Sequence, residues 1–121
     1  MFEVTVRQTF SAAHFLRDYK GKCENLHGHN YRVEVTARGE HLGPGGMLVD
    51  FVDLKRAART VIDQLDHTNL NETPPFDPLN PSAENIAWHI CTQIQNQLGE
   101  AGQIAEVRVW ETDTCVAAFR P

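Results

Sequence analysis

The stretch Cys23-Glu24-Asn25-Leu26-His27-Gly28-His29-Asn30-Tyr31 sets a thiol, a carboxylate and two imidazoles close together in the chain. Just downstream, Tyr31, Val33, Val35 and Ala37 alternate with Arg32, Glu34, Thr36 and Arg38, the period-two pattern of a half-buried strand. If that strand starts near His27, then His27 and His29 point the same way, because side chains two apart share a face. Gly28 adds no side chain between them and lets the backbone approach whatever the histidines hold. Two convergent imidazoles are a metal-ligand arrangement in need of a further partner. His14 can supply it. The first alternating run, Phe2 to Phe10, leads into Ser11-Ala12-Ala13-His14, and antiparallel pairing puts its exit beside the entrance of the second strand. Three neutral imidazoles with an open fourth position form the ligand set of a catalytic zinc site. The competing explanation is a chance H-x-H step in a chain with six histidines.

Other polar residues interrupt apolar patterns. Asp66-His67 pairs a carboxylate with an imidazole, a combination suited to carrying protons near neutral pH, although capping of a helix C-terminus is the better explanation of the pair taken alone. A thiol near zinc has its pKa lowered, which makes Cys23 a candidate base or nucleophile. Glu111 shares a strand face with Val107 and Val109, where a carboxylate needs paired donors such as heterocycle N–H groups. The alternative for Glu111 is an ordinary strand-end charge. Arg17, Lys20 and Lys22 beside the histidine motif could form a local cluster for phosphates, or be solvated loop charges. His41 lies in a Gly/Pro-rich loop, and His89, Cys91 and Cys115 read as structural.

The elements that must position these groups follow in order. After the two strands and the turn at Gly39 to Gly46, Met47 to Val49 reads as extended and Asp50 as the N-cap of a helix. Leu54, Ala57, Ala58, Val61, Ile62 and Leu65 fall at helical spacing, and the helix is expected to end at Asp66-His67. A Pro-rich loop leads to Ser82, an N-cap for a second helix whose stripe is Ile86, Ala87, Ile90, Cys91, Ile94 and Leu98. Two further strands, through Val107 and from Cys115 to Arg120, close a hairpin. The order β-β-α-α-β-β predicts one α+β domain over residues 1–121, a four-stranded antiparallel sheet with two helices on one face. Its open edges favour pairing between subunits. The net charge of −5 without a basic run argues against nucleic acid as partner, and no apolar run reaches membrane-span length. Three cysteines and no secretory signal pattern lead us to expect a cytoplasmic protein.

Taken together, these residues resemble the 6-pyruvoyltetrahydropterin synthase/6-carboxytetrahydropterin synthase family along nearly the whole chain. The matching pieces are Phe10-Ser11-Ala12-Ala13-His14, Cys23-x3-His27-Gly28-His29, Val49-Asp50-Phe51, Leu65-Asp66-His67-x-Asn69-Leu70-Asn71, Pro81-Ser82-Ala83-Glu84-Asn85 and Glu111-Thr112. The resemblance implies a tunnelling fold whose subunits join edges into a β-barrel, commonly a homohexamer built as a dimer of trimers. It implies that His14, His27 and His29 hold Zn2+ against the side-chain hydroxyls of 7,8-dihydroneopterin triphosphate. Cys23 would be the base, and Asp66 and His67 its relay across a subunit interface. Glu111 would anchor the pterin. Glu84 matches a substrate-binding position too, but a place near a helix N-terminus explains it as well.

Within the family, 6-pyruvoyl-forming members resemble Cys-x5-His-Gly-His, and the 6-carboxy enzymes of queuosine and 7-deazapurine synthesis resemble the Cys-x3-His-Gly-His seen here. A branch that forms 6-hydroxymethyl-7,8-dihydropterin for folate resembles Glu-x2-His-Gly-His, which Glu24 also satisfies. The expectation is therefore a zinc-dependent carbon-oxygen lyase making 6-carboxy-5,6,7,8-tetrahydropterin. The alternatives are the hydroxymethyl activity, alone or as a second one, 6-pyruvoyltetrahydropterin synthase, or a non-catalytic zinc- or pterin-binding module. Adjacent side chains diverge, so whether Cys23 and Glu24 both reach the substrate is left open, as is Glu24 as a solvated loop residue.

Overall fold

A computed structural model describes all residues, Met1–Pro121. The first two strands are long: β1 spans Phe2–His14 and β2 spans His27–Gly39. They pair antiparallel over their whole length, so that His14 faces His27, Ala12 faces His29 and Phe10 faces Tyr31. The Phe10 and Tyr31 rings stack with centroids 4.7 Å apart, just below the histidine end. β4 (Ile104–Thr112) pairs with β2, and β5 (Cys115–Phe119) pairs with β4. The four antiparallel strands expected from the sequence are thus present. A fifth, β3 (Thr68–Asn69), adds two residues parallel to Ala12 and Ala13, giving the order β3-β1-β2-β4-β5 in an open sheet.

Two irregularities re-aim β4. Thr36 pairs with Glu106 but Ala37 with Ile104, so Ala105 is an extra residue, and Ile104 and Val107 both face inward despite their odd separation. Trp110 pairs with Val116 and Thr112 with Cys115, which leaves Glu111 as the bulged residue. Bulges bend a strand and redirect its side chains.

Both helices cover the face that carries Tyr31, Val33, Val35 and Ala37. Helix α1 (Phe51–Asp63) starts where the Asp50 carboxylate accepts the Val52 N–H at 2.8 Å, a cap that contributes about 1 kcal/mol. It buries Leu54, Ala57, Ala58, Val61 and Ile62. Helix α2 (Ala83–Leu98) starts at Ser82, whose hydroxyl accepts the Asn85 N–H, and ends at Gly99 with φ 56°. One contiguous cluster of 25 buried apolar residues joins both helices to the sheet, each large aliphatic contributing about 1.5–3 kcal/mol.

Met47 has the extended backbone expected of its stretch, φ −109° and ψ 139°, after a short 3₁₀ turn, Pro44–Gly46, although Met47 to Val49 joins no sheet. The structure corrects one boundary. Helix α1 stops at Asp63, so Asp66 and His67 stand in the turn beyond it and do not cap it. There Leu65 and Asp66 donate their N–H groups to Ile62 O, and His67 takes a left-handed backbone with φ 58°.

Candidate metal centre

The register settles which face the histidines share. His14 lies on β1 in phase with Phe10, and His27 and His29 lie on β2 in phase with Tyr31, so all three imidazoles point to the helix-covered face. Their ligand atoms lie within 4.8 Å of one another, a group able to hold a metal ion. His14 is fully buried, and His27 and His29 are half-buried.

Hydrogen bonds fix the nitrogens. His14 Nδ1 lies 2.8 Å from the Pro81 carbonyl and His27 Nδ1 lies 2.7 Å from the Asn25 carbonyl. A carbonyl only accepts, so both Nδ1 atoms carry the proton and both Nε2 atoms present lone pairs. Those two Nε2 atoms stand 3.1 Å apart, lone pair toward lone pair. His29 Nε2 is buried with no hydrogen-bond partner. Such an arrangement repels itself unless a proton or a cation lies between, and burial opposes the proton. Burial lowers the pKa of His14 and of His29, against the opposing pull of the Pro81 carbonyl on His14 and of Glu111 on both. Convergent neutral nitrogens held by carbonyls are what a metal site of this donor set requires. The residues fit a cation.

Glu111 belongs to the same constellation. The bulge brings its Oε1 to 3.3 Å from His14 Nε2 and 3.7 Å from His29 Nε2. Tyr31, also fully buried, sets its hydroxyl 3.2 Å from His14 Nδ1, and burial, helped by Glu111, raises its pKa far above the ordinary phenol value. Glu111 and Glu84 together line a groove of about 380 Å³ floored by Ala83 and the start of β5 from Cys115 to Ala118. Two carboxylates at one mouth suit a heterocycle with several N–H donors.

Asp66 and His67 form a second unit. The Asp66 carboxylate accepts the Ser11 N–H at 2.8 Å and pairs with His67 Nδ1 at 3.0 Å, while His67 N–H donates to the Ser11 carbonyl at 2.6 Å. The Ser11 N–H first and His67 second hold the Asp66 carboxyl below the usual carboxylate range. The His67 side chain is 82% exposed. It borders an open groove of about 520 Å³ with Ser11, Gly28, Asn30 and Asn69, and His29 lines the same groove. Gly28 faces this groove, opposite the metal-ligand face; a Cβ there would make only an ordinary 3.5 Å contact with Ala12 O.

Cys23 sits half-buried on a 3₁₀ turn (Lys22–Glu24), tied to the end of β1 by Leu16 N–H donating to Cys23 O at 2.7 Å. Neither its thiol nor the exposed Glu24 carboxylate hydrogen-bonds to the histidines. Arg17 is no free cation for phosphates, because its guanidinium donates to the carbonyls of Asn71, Phe76 and Leu79. Lys20 and Lys22 are exposed. His89 is buried against Phe76, centroids 5.3 Å apart, and burial lowers its pKa. Sequence reasoning missed the Pro81 and Asn25 carbonyls, which no side-chain pattern signals. Tyr31 could have been found, two residues from His29 on the same face.

Comparison with known proteins bears on this site. The family model described as 6-pyruvoyl tetrahydropterin synthase matches residues 3–121. The chain is 39% identical over 118 residues to a putative 6-carboxy-5,6,7,8-tetrahydropterin synthase of Archaeoglobus fulgidus, covering 97% of this chain and 94% of the relative. It is 37% identical over 132 residues to the 6-pyruvoyl tetrahydrobiopterin synthase of Homo sapiens, covering 98% and 90%. The solved 6-pyruvoyl tetrahydropterin synthase of Caenorhabditis elegans superposes with a TM-score of 0.85 at 30% identity, covering 100% of this chain and 97% of that one. No helix here is long and apolar enough to cross a membrane.

Proposed function

The chain belongs to the 6-pyruvoyl tetrahydropterin synthase family, and from that premise we propose that it is a zinc-dependent 6-carboxy-5,6,7,8-tetrahydropterin synthase. It would convert 7,8-dihydroneopterin triphosphate and water to 6-carboxytetrahydropterin, acetaldehyde and triphosphate, as in queuosine and 7-deazapurine synthesis. The observation that carries this reading is the convergence of the His14, His27 and His29 nitrogens beside Glu111. Overall identity does not separate the two reactions, at 39% and 37% to relatives of each name. The three-residue spacing from Cys23 to His27 favours the 6-carboxy product.

His14, His27 and His29 would hold the metal through Nε2. A zinc ion held there would supply Lewis acidity toward the substrate's side-chain hydroxyls. Glu111, with Glu84 across the groove, accepts the pterin ring N–H and amino donors and fixes the ring. Cys23 removes a carbon-bound proton, and its half-buried place on the turn next to β2 supports that role. Asp66 orients His67 through Nδ1, leaving Nε2 to carry protons. The exposure of His67 supports its delivery to a neighbouring subunit's site, within a homohexamer built as a dimer of trimers. The exposed edge strand β5 supports barrel closure between copies, and the single core supports one domain over 1–121. Three free cysteines favour a reducing, cytoplasmic setting.

A second reading rests on Glu24, exposed and adjacent to Cys23: a carboxylate base there would give 6-hydroxymethyl-7,8-dihydropterin. The test is mass spectrometry of every pterin formed from 7,8-dihydroneopterin triphosphate by zinc-loaded protein. A 6-carboxytetrahydropterin mass with acetaldehyde supports the first reading. A hydroxymethyl mass alone replaces it with the second, and both masses mean a dual enzyme. Zinc binding without any product reduces the protein to a binding module. Cys23→Ala should abolish the carboxy product with zinc retained, and Glu24→Ala should spare it.

A further inference from the structure

The segment from Leu70 to Pro81 does more than connect β3 to α2. It is sewn to the three residues that follow His14 by side chains that imitate strand pairing. Asn71 accepts the Phe15 N–H at 2.9 Å and donates to the Phe15 carbonyl at 3.0 Å. Asn80 repeats the exchange on Arg17, accepting its N–H at 2.9 Å and donating to its carbonyl at 3.2 Å. The Arg17 guanidinium then gathers the Asn71, Phe76 and Leu79 carbonyls at 3.2, 2.9 and 3.3 Å. Each bond satisfies a backbone group of a segment that has no regular ladder of its own. The segment is pinned at its start by β3 on Ala12 and Ala13, and it ends on the carbonyl that accepts His14 Nδ1–H.

That end point has a chemical consequence. The Pro81 carbonyl accepts only, so it enforces the Nδ1–H tautomer and leaves His14 Nε2 free to ligate. The Tyr31 hydroxyl, 3.2 Å from the same Nδ1, is able to donate as well as accept. Were the carbonyl to withdraw, Tyr31 O–H would donate to Nδ1 and favour the Nε2–H tautomer, which leaves no lone pair on the nitrogen that faces His27. We propose that Asn71, Asn80 and Arg17 form a latch that sets the tautomer of His14 through the Pro81 carbonyl, and so act as positioning residues for metal binding. None of them touches the metal ligands directly; Asn80 is one residue from Pro81 and carries the argument most directly.

The inference rests on the metal-centre reading, and the test separates the two. Metal-free protein is titrated with zinc against a chromophoric chelator at pH 7, alongside melting temperature and ¹⁵N shifts of the His14 ring. Wild type failing to bind zinc overturns the metal centre itself. With wild type binding, Asn80→Ala is expected to weaken zinc affinity about 10–100-fold, the usual effect of losing a partner that orients a ligand. Its His14 ring signals should move toward the Nε2–H form. Ile94→Val, a core change in α2 away from the latch, serves as the stability control and should bind zinc like wild type. Should Asn80→Ala not fold, Arg17→Lys, which keeps the charge but not the three-carbonyl grip, should show a smaller loss of the same kind. A folded latch variant with wild-type affinity and wild-type ring shifts overturns the proposal.

Discussion

Replacing two of the three histidines should have very unequal consequences for stability, although both should abolish metal binding. His29 Nε2 is buried without a partner, which costs the metal-free protein about 1–3 kcal/mol. Truncating His29 to alanine removes that penalty together with the packing of a half-buried ring, two terms of similar size. Metal-free His29→Ala should therefore lie within about 1 kcal/mol of wild type. His14 differs: it is fully buried, and its loss orphans the Pro81 carbonyl and opens a cavity under Tyr31. The expected cost is about 3–5 kcal/mol. Zinc at a hundred times its dissociation constant should stabilise wild type by about 2.7 kcal/mol. For a chain of 121 residues, that corresponds to a rise in Tm of about 8–16 °C. The assay is calorimetry with and without zinc at fixed protein concentration. His29→Ala should melt close to metal-free wild type and gain little from zinc. A zinc-dependent rise retained in His29→Ala, or a metal-free loss as large as that of His14→Ala, would refute the assignment of the orphaned nitrogen as a ligand.

The remaining predictions concern pH, the core and the groove lined by Glu84 and Glu111. Burial lowers the pKa of His89, so the folded protein binds fewer protons there than the unfolded chain; its contribution is present above about pH 6.5 and is lost as pH falls through the folded value. His89→Leu should reduce the pH slope of urea-derived stability below 6.5 by up to about 1.4 kcal/mol per pH unit, and an unchanged slope would count against a buried neutral imidazole. Asp66 is depressed by the Ser11 N–H and His67, so its contribution is present above about pH 4 and is lost on further acidification; Asp66→Asn should flatten that acid limb. Leu54→Ala, at a fully buried position under the sheet, should cost about 2–5 kcal/mol without altering zinc affinity per folded molecule. Glu111→Gln should weaken binding of a non-reactive pterin, measured by fluorescence quenching, more than Glu84→Gln does, because only Glu111 also faces the histidines.

Much of this protein is legible in its residue order because its strands are long and one-sided. Alternation through β1 and β2 fixes which side chains face the helices, and a hairpin register then leaves His14 no place but beside His27. Asp50, Ser82 and Gly99 act through local geometry, so the helix boundaries they set could be read directly, whereas Asp63 ends α1 without a comparable signal. The tertiary structure decided what depends on distant backbone. A carbonyl from Pro81, 67 positions along the chain, selects the tautomer of His14, and no residue type announces a carbonyl's direction. The Ser11 peptide group holds Asp66 and His67 against β1, beyond a helix that ends earlier than its apolar spacing suggested. A bulge at Glu111 turns a strand-end carboxylate toward the histidines, and Arg17, in sequence a candidate phosphate ligand, is spent on three carbonyls. The sequence alone determined the side-chain chemistry and its phase along each strand, since both are local. Tertiary structure determined which of those groups remain unpaired, because pairing is settled by whichever part of the chain packs alongside.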